Sequence, residues 1–206
     1  YDDETMNITA DTGRIDQTKG TMFLQDDVII TSENGSQLLT DSLSWDKETS
    51  VVSTEDKVLI TDERMTVSGK GIKANTRMKT AKVLEDVRVL VNTDSEKKDN
   101  KIVTITSDGP MEIDQALFKA TFEDNVVAVQ DNQTLKADRM EIYFGEDMGT
   151  IKEMICIGNV EILQGENKSY ANKATYDAER KKLILSGRPK LIVVTEGDDA
   201  IKSSGD

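Results

Sequence analysis

The feature that most limits what this chain can become is a unit that recurs six times along it with a spacing near thirty residues. Its clearest copy is Leu38 to Ile60: a run with alternate small or apolar positions (Leu39, Asp41, Leu43, Trp45), a polar turn at Asp46-Lys47-Glu48-Thr49, and a run ending Asp56-Lys57-Val58-Leu59-Ile60. Period-two alternation marks half-buried strands, because successive side chains leave a pleated strand on opposite faces. One unit is therefore strand, turn, strand. Such a hairpin is marginal in water by itself. The opening run returns at Ala10–Asp16, Ser68–Ala74, Asp108–Asp114, Ala137–Tyr143 and Ala171–Asp177. The closing run returns with valines at 28, 58, 87, 126 and 160 and with Leu191 as the sixth apolar position. Ordered copies at fixed spacing are the mark of stacked repeats, each burying its apolar face on its neighbours.

The expected fold is all-β, a stack of about six hairpin-like repeats. Aromatics make up 4% of the 206 residues and apolar residues 36%, which is lean for a globular core and ordinary for strands that are half exposed. Ala171 to Lys182 has helical propensity, but the repeat register places a strand there. Residues 1–91 hold the first repeats and residues 102–195 the later ones. Residues 92–101, the longest polar stretch, are expected to be a loop or linker on one continuous stack, and 196–206 a polar tail.

Charge and composition exclude several functions. A net charge of −13 repels nucleic acid and gives no help towards an anionic membrane surface. With no histidine, Ser-His-Asp and Cys-His catalysis and His-ligated metal sites are ruled out. No phosphate-binding glycine loop is present, and neither a cofactor nor a metal is expected. The acidic pair Asp26-Asp27 shares its repeat register with Glu85-Asp86 and Asp124-Asn125, which favours a turn or edge device over a catalytic group. Cys156 stands in an apolar strand and is expected to be a buried thiol, with no disulfide partner in the chain. No run reaches membrane-spanning length, and the abrupt start at Tyr1-Asp2-Asp3-Glu4 suggests that a signal or anchor was removed.

The apolar positions remain. Ile15, Leu43, Trp45, Met111, Ile113, Met140, Ile142 and Tyr176 match one another in the opening strand; Val58, Ile60, Val126 and Val160 match in the closing strand. Two stacked sheets must turn one such face inward. That face is either a dry sandwich core, as in a structural scaffold or adhesin, or a groove open along one side. Small candidates on it, among them Gly71, Ala120 and Ala174, leave room between the sheets.

Ala137-Asp138-Arg139-Met140-Glu141-Ile142-Tyr143 with Cys156-Ile157-Gly158-Asn159-Val160-Glu161-Ile162 resembles the repeat of the OstA-like periplasmic proteins of lipopolysaccharide transport (the Lpt family). Phe122 to Val126 and Tyr176-Asp177 with Leu183 to Gly187 fit the same pattern. The stretch from Thr104 to Val194 is most similar to the LptA-type bridge component, and that from Gly13 to Val91 to the membrane-anchored LptC-type component. The resemblance implies a twisted, partly open β-jellyroll in the periplasm. It would act without enzymatic activity, carrying lipid A acyl chains within a bridge from inner to outer membrane. It implies partners met by edge-strand pairing: other Lpt components and, head to tail, a second copy. It also turns the apolar set into expected groove residues, to which Phe118 and Phe122 are added; Trp45, Ile113, Phe118, Phe122, Met140 and Ile142 are the expected acyl contacts.

Overall fold

The computed structural model describes residues 6–92, 102–146, 148 and 150–194. Every regular element is a strand: β1 (Met6–Thr9), β2 (Thr12–Asp16), β3 (Thr21–Ser32), β4 (Gln37–Asp46), β5 (Val51–Thr61), β6 (Met65–Asn75), β7 (Thr80–Asn92) and β8 (Ile102–Ser107). They continue as β9 (Met111–Asp114), β10 (Lys119–Gln130), β11 (Gln133–Phe144), β12 (Ile151–Gln164), β13 (Asn167–Asp177), β14 (Lys182–Ser186) and β15 (Lys190–Ile192). The all-β expectation holds, and Ala171 to Lys182 is strand and turn as the repeat register requires. All fifteen strands join one antiparallel sheet. Three of its positions are shared by two collinear short strands: β1 with β2, β8 with β9, and β14 with β15. Strands β7 and β8 pair from Val87↔Ser107 to Asn92↔Ile102, so the sheet runs without a break past residues 93–101. Those residues and the tail 196–206 lie outside the described ones.

A single flat sheet could not bury a face. Each long strand instead turns a corner near its middle. In β3, β5 and β12 the register against both neighbours slips by one residue there, while β7 slips only against β6 and β10 only against β11, the collinear β8 and β9 between them keeping one register. An extra residue in one strand bends it and sharpens its twist. Inward residues therefore stand four apart across the corner of the closing strands (Val83 and Val87, Phe122 and Val126, Cys156 and Val160) and three apart in the opening strands (Thr40 and Leu43, Ala137 and Met140, Ala171 and Ala174). The corner residues carry positive φ: Asp26, Asp27, Asp86, Asp124, Asn125, Gly158 and Asn159. Asp and Asn tolerate this left-handed region better than other side chains, and Gly is free to enter it. The recurring acidic pair is thus neither a turn nor an edge device; it is the hinge line along which the sheet folds. The β5 corner is held differently: Ser42 Oγ donates to Asp56 Oδ2 at 2.5 Å, and Asp56 N–H donates to Thr54 Oγ1 at 3.1 Å.

Folding along that line gives two walls, A and B, whose inner faces close on each other as a β-jellyroll. Wall-A hairpins are tied by one device. Asp46, Asn75, Asp114 and Asp177 each accept a bond from the backbone N–H three residues on, at 2.9–3.0 Å. Those turn N–H groups hold the Asp46 carboxyl below its ordinary range. The core runs as one cluster from Val58 to Ala174, taking residues from both walls.

Candidate functional site

The inner face is built of rows that cross the strands. On wall A the row that runs across every strand position is Ile15, Met22, Trp45, Val52, Ala74, Ala81, Ile113, Ala120, Ile142, Met154, Tyr176 and Leu183, each paired in register with the next. On wall B it is Ile8, Ile30, Leu38, Ile60, Val67, Val89, Ile105, Ala128, Leu135, Ile162, Ser169 and Leu191. Of these twenty-four positions only Ser169 is polar. A deeper row on each wall forms the floor beside the corner, including Leu43, Met111, Phe122 and Met140 on wall A and Val58, Val126 and Val160 on wall B.

Burial divides the expected groove residues into two sets. Leu43, Val58, Met111, Phe122, Val126, Met140 and Val160 are at most 4% exposed and form the sealed floor, and Ile142, in the outer wall-A row, is buried as deeply at 4%. Trp45, Ile60, Ile113 and Tyr176 are half-buried and line the rim, while Ile15, 69% exposed, stands on the uncovered end of the wall-A row. Phe118 belongs to neither set. It closes the turn between β9 and β10 with φ +49°, where its N–H donates to Gln115 and its carbonyl accepts from Phe144 N–H. Gly71 does not face inward either: it sits at the corner with φ +71°, against Leu84. Rim residues not singled out from the sequence are Leu38, Met65, Leu135, Phe144 and Met154, all packed on the core cluster. Leu38 was hidden by strict alternation, which put Leu39 in phase with Leu43. The corner re-phases the strand, so Leu38 and Thr40 face in and Leu39 faces out.

Among the described residues no charged side chain is buried. The buried polar groups among them are Thr40, Thr54 and Ser107, and burial pushes the Cys156 thiol up to about 12, leaving it a neutral small hydrophobe. No three carboxylates or thiols among the described residues gather as a metal site, and no helix there is long and apolar enough to cross a membrane. Such a lining can hold apolar chains by desolvation, at about 25 cal/mol per Å² removed from water, and offers no group for acid, base or nucleophilic work. The rows run along the axis of the roll. Across the twelve strand positions of the sheet they make an apolar track on the order of 50 Å long at ~4.8 Å per strand. At both ends the track is uncovered: Met6 and Ile8 at one, Leu183 and Leu191 at the other, are 41–64% exposed.

Charge is confined to the outside. On the outer face of β10 and β11, Glu141 accepts from Lys119 at 3.0 Å, from Arg139 at 2.7 and 3.1 Å and from Tyr143 Oη at 2.9 Å. Arg139 also reaches Glu123 at 2.9 Å, and the Lys119 ammonium lies 5.2 Å from the Tyr143 ring centre.

Comparison with known families divides the chain at the β7–β8 junction. Residues 1–92 match the family described as lipopolysaccharide-assembly, LptC-related, and residues 104–205 match the LptA/(LptD N-terminal domain) LPS transport protein family. Among solved structures, LptH of Pseudomonas aeruginosa, the LptA-homologous periplasmic component of the lipopolysaccharide transport device, aligns over 93% of this chain and 96% of its own, with 10% identity and a TM-score of 0.26. No curated protein matches the chain.

Proposed function

The chain belongs to the OstA-like lipopolysaccharide-transport (Lpt) family, matched in its two halves by an LptC-related and an LptA-type model, and on that premise we propose that it carries lipid A acyl chains along its apolar inner face. The observation that carries this reading is the pair of rim rows, apolar across the sheet and open at both ends. The floor is filled side chain against side chain, so the acyl chains lie along the rim, between Trp45, Ile113 and Tyr176 on one wall and Leu38, Ile60 and Ile162 on the other. The protein works in the periplasm as a non-enzymatic segment of the bridge from inner to outer membrane. Hand-over from its LptC-like to its LptA-like half happens inside one sheet, because Val89↔Ile105 and Ile105↔Ala128 carry the wall-B row across the junction.

The two ends supply the partner contacts. Among the described residues, strands β1 with β2 and β14 with β15 each pair on one side only, and unpaired strand edges are templates for a further strand. Other Lpt components, or a second copy head to tail, extend the track by docking there. A variant truncated before β14 should lose partner or self-association in sedimentation; undiminished association would remove that edge from the account.

The direct test is native mass spectrometry of the chain titrated with lipopolysaccharide. Saturable uptake that survives high salt, and that is weakened by Ile113→Asp with the β circular dichroism intact, is expected. The sealed floor favours one rival, a scaffold with a closed core; it predicts a bare protein at every lipid concentration.

A further inference from the structure

The outer face of the first half holds a second, unrelated feature. A cavity of about 840 Å³ lies over β3–β6 beside the corner, within the range of small-molecule sites. The buried Val28 and Val58 border its base, and its outward-facing apolar lining is Ile29, Leu39 and Leu59, which are cross-strand neighbours. They alternate with the buried Val28, Thr40 and Val58 and so point away from the core. The cavity therefore opens on the outer face, whereas the rim rows of the proposed acyl track lie on the inner one.

Its charged lining is arranged by sign. Two residues nearer the corner, Asp27 and Asp41 lie on β3 and β4, Lys57 and Lys70 lie on β5 and β6, and a third carboxylate, Asp86, lies beyond them on β7. Lys57 stands directly opposite Lys70, and like charges in that position repel. Lys70 has a partial counter-charge in Glu85 at 3.3 Å, while Lys57, Asp27 and Asp41 form no ion pair among the described residues. On the outer face of the second half Lys136 on β11 pairs with Glu161 on β12 at 3.3 Å.

We propose that this cavity takes one zwitterionic amphiphile with a phosphoethanolamine headgroup. The phosphate sits between the Lys57 and Lys70 ammoniums, the amine reaches Asp41 and Asp27, and an acyl chain lies on Ile29, Leu39 and Leu59. The switch from acid to base occurs between neighbouring strands, over ~4.8 Å, which suits the two-carbon spacer of that headgroup. A purely anionic headgroup would meet the three aspartates, and a purely cationic one the two lysines. A peptide strand has no opening here, because β3–β6 are already paired on both sides.

The test uses dihexanoyl phosphatidylethanolamine below its micelle concentration, with dihexanoyl phosphatidylglycerol as the anionic control, followed by backbone amide NMR and native mass spectrometry. One saturable site is expected, with shifts on β3–β6 and weaker binding of the glycerol lipid. Lys57→Glu, an exposed change that leaves the core alone, should weaken binding about tenfold, in the range of one lost charge-assisted hydrogen bond. The swap Asp41→Lys with Lys57→Asp should recover part of it. Lipopolysaccharide uptake should be the same in Lys57→Glu as in the parent, which separates this site from the inner track. Equal binding of both lipids, undiminished binding by Lys57→Glu, shifts on the inner rows, or a copurified peptide in place of lipid would each overturn the proposal.

Discussion

At the corner of β10 and β12, Asn125 Nδ2 donates to Asp108 at 2.7 Å and Asn159 Nδ2 donates to Asp138 at 2.9 Å. The matching place in β3 and β4 holds Asp27 beside Asp41, two carboxylates with no amide between them. The same contrast recurs around each corner. The outer face of β10 and β11 is tied by the Glu141 network, whereas that of β3–β6 is an apolar cavity with separated charges. The core cluster reaches from Val58 to Ala174, while Val28 and Leu43, equally buried, lie outside it. Two halves folded by one grammar thus divide the work. The second spends Asn125, Asn159 and the Glu141 network on its own closure, and the first, though Ser42 and Asp56 close the β5 corner, leaves Asp27, Asp41 and Lys57 without ion pairs among the described residues.

The contrast breaks most forcefully in the floor. Met140 is fully buried among apolar neighbours, and Met140→Asp leaves a charge there without a partner. Such changes belong to the class costing about 4 kcal/mol or more. Loss of cooperative melting is expected by circular dichroism, whereas Ile15→Asp, at the exposed end of the first half, should stay within about 0.5 kcal/mol of the parent. A normal melt for Met140→Asp would mean that the second half is not sealed. The same burial makes Asp at Phe122 a folding test, so lipid contact is better probed at the rim.

Next in size is the outer network. Glu141→Gln deprives Lys119, Arg139 and Tyr143 of a charged acceptor and should cost about 1–3 kcal/mol in urea unfolding. Asp41→Asn in the first half should change it by under about 0.5 kcal/mol. Burial alone would raise the Glu141 carboxyl, but hydrogen bonds from Lys119, Tyr143 and Arg139 outweigh it and hold the group below its ordinary 4.5. A carboxyl lower in the folded state than in the unfolded one adds stability above its unfolded value and loses it as pH falls through the folded value. The gap between parent and Glu141→Gln should therefore close on acidification. For Lys119 burial works downward and the bonds to Glu141 and Tyr143 work upward, with a net rise; its contribution is present below the unfolded value and fades as pH climbs through the raised one. A pH-independent gap would deny the network its electrostatic role.

The smallest effects sharpen the corner itself. Asn125→Asp sets a second carboxylate against Asp108 and should lower stability by about 0.2–1 kcal/mol, while Asp27→Asn should raise it by a few tenths. Thermal melts in low salt check both signs, and equal signs would mean that corner chemistry does not distinguish the halves.

The repeat made the fold legible. Every closing valine, at 28, 58, 87, 126 and 160, lies on the floor with at most 3% exposure. The corner was not legible to a period-two reading, which cannot place Leu38, Thr40, Leu43 and Trp45 on one face. Its signal was present in the paired residues that favour positive φ within strands, at Asp26-Asp27, Asp124-Asn125 and Gly158-Asn159. Phe118 is apolar and well spaced, yet a turn captures it, and only backbone geometry reveals that. Ile15 keeps its row but is exposed because no strand among the described residues lies beyond β2. The Glu141 network depends on register, Lys119↔Tyr143 above all, which composition does not disclose.

The most direct test of the inner track uses adjacent residues on opposite faces. A photoreactive benzoylphenylalanine placed at Ile60 or Ile113 points inward, and one at Thr61 or Glu112 points outward at the same depth along the strand. With lipopolysaccharide present, adducts should form at Ile60 and Ile113 and not at Thr61 or Glu112. Equal labelling of both faces, or labelling of the outer pair alone, would contradict an acyl track on the inner rim.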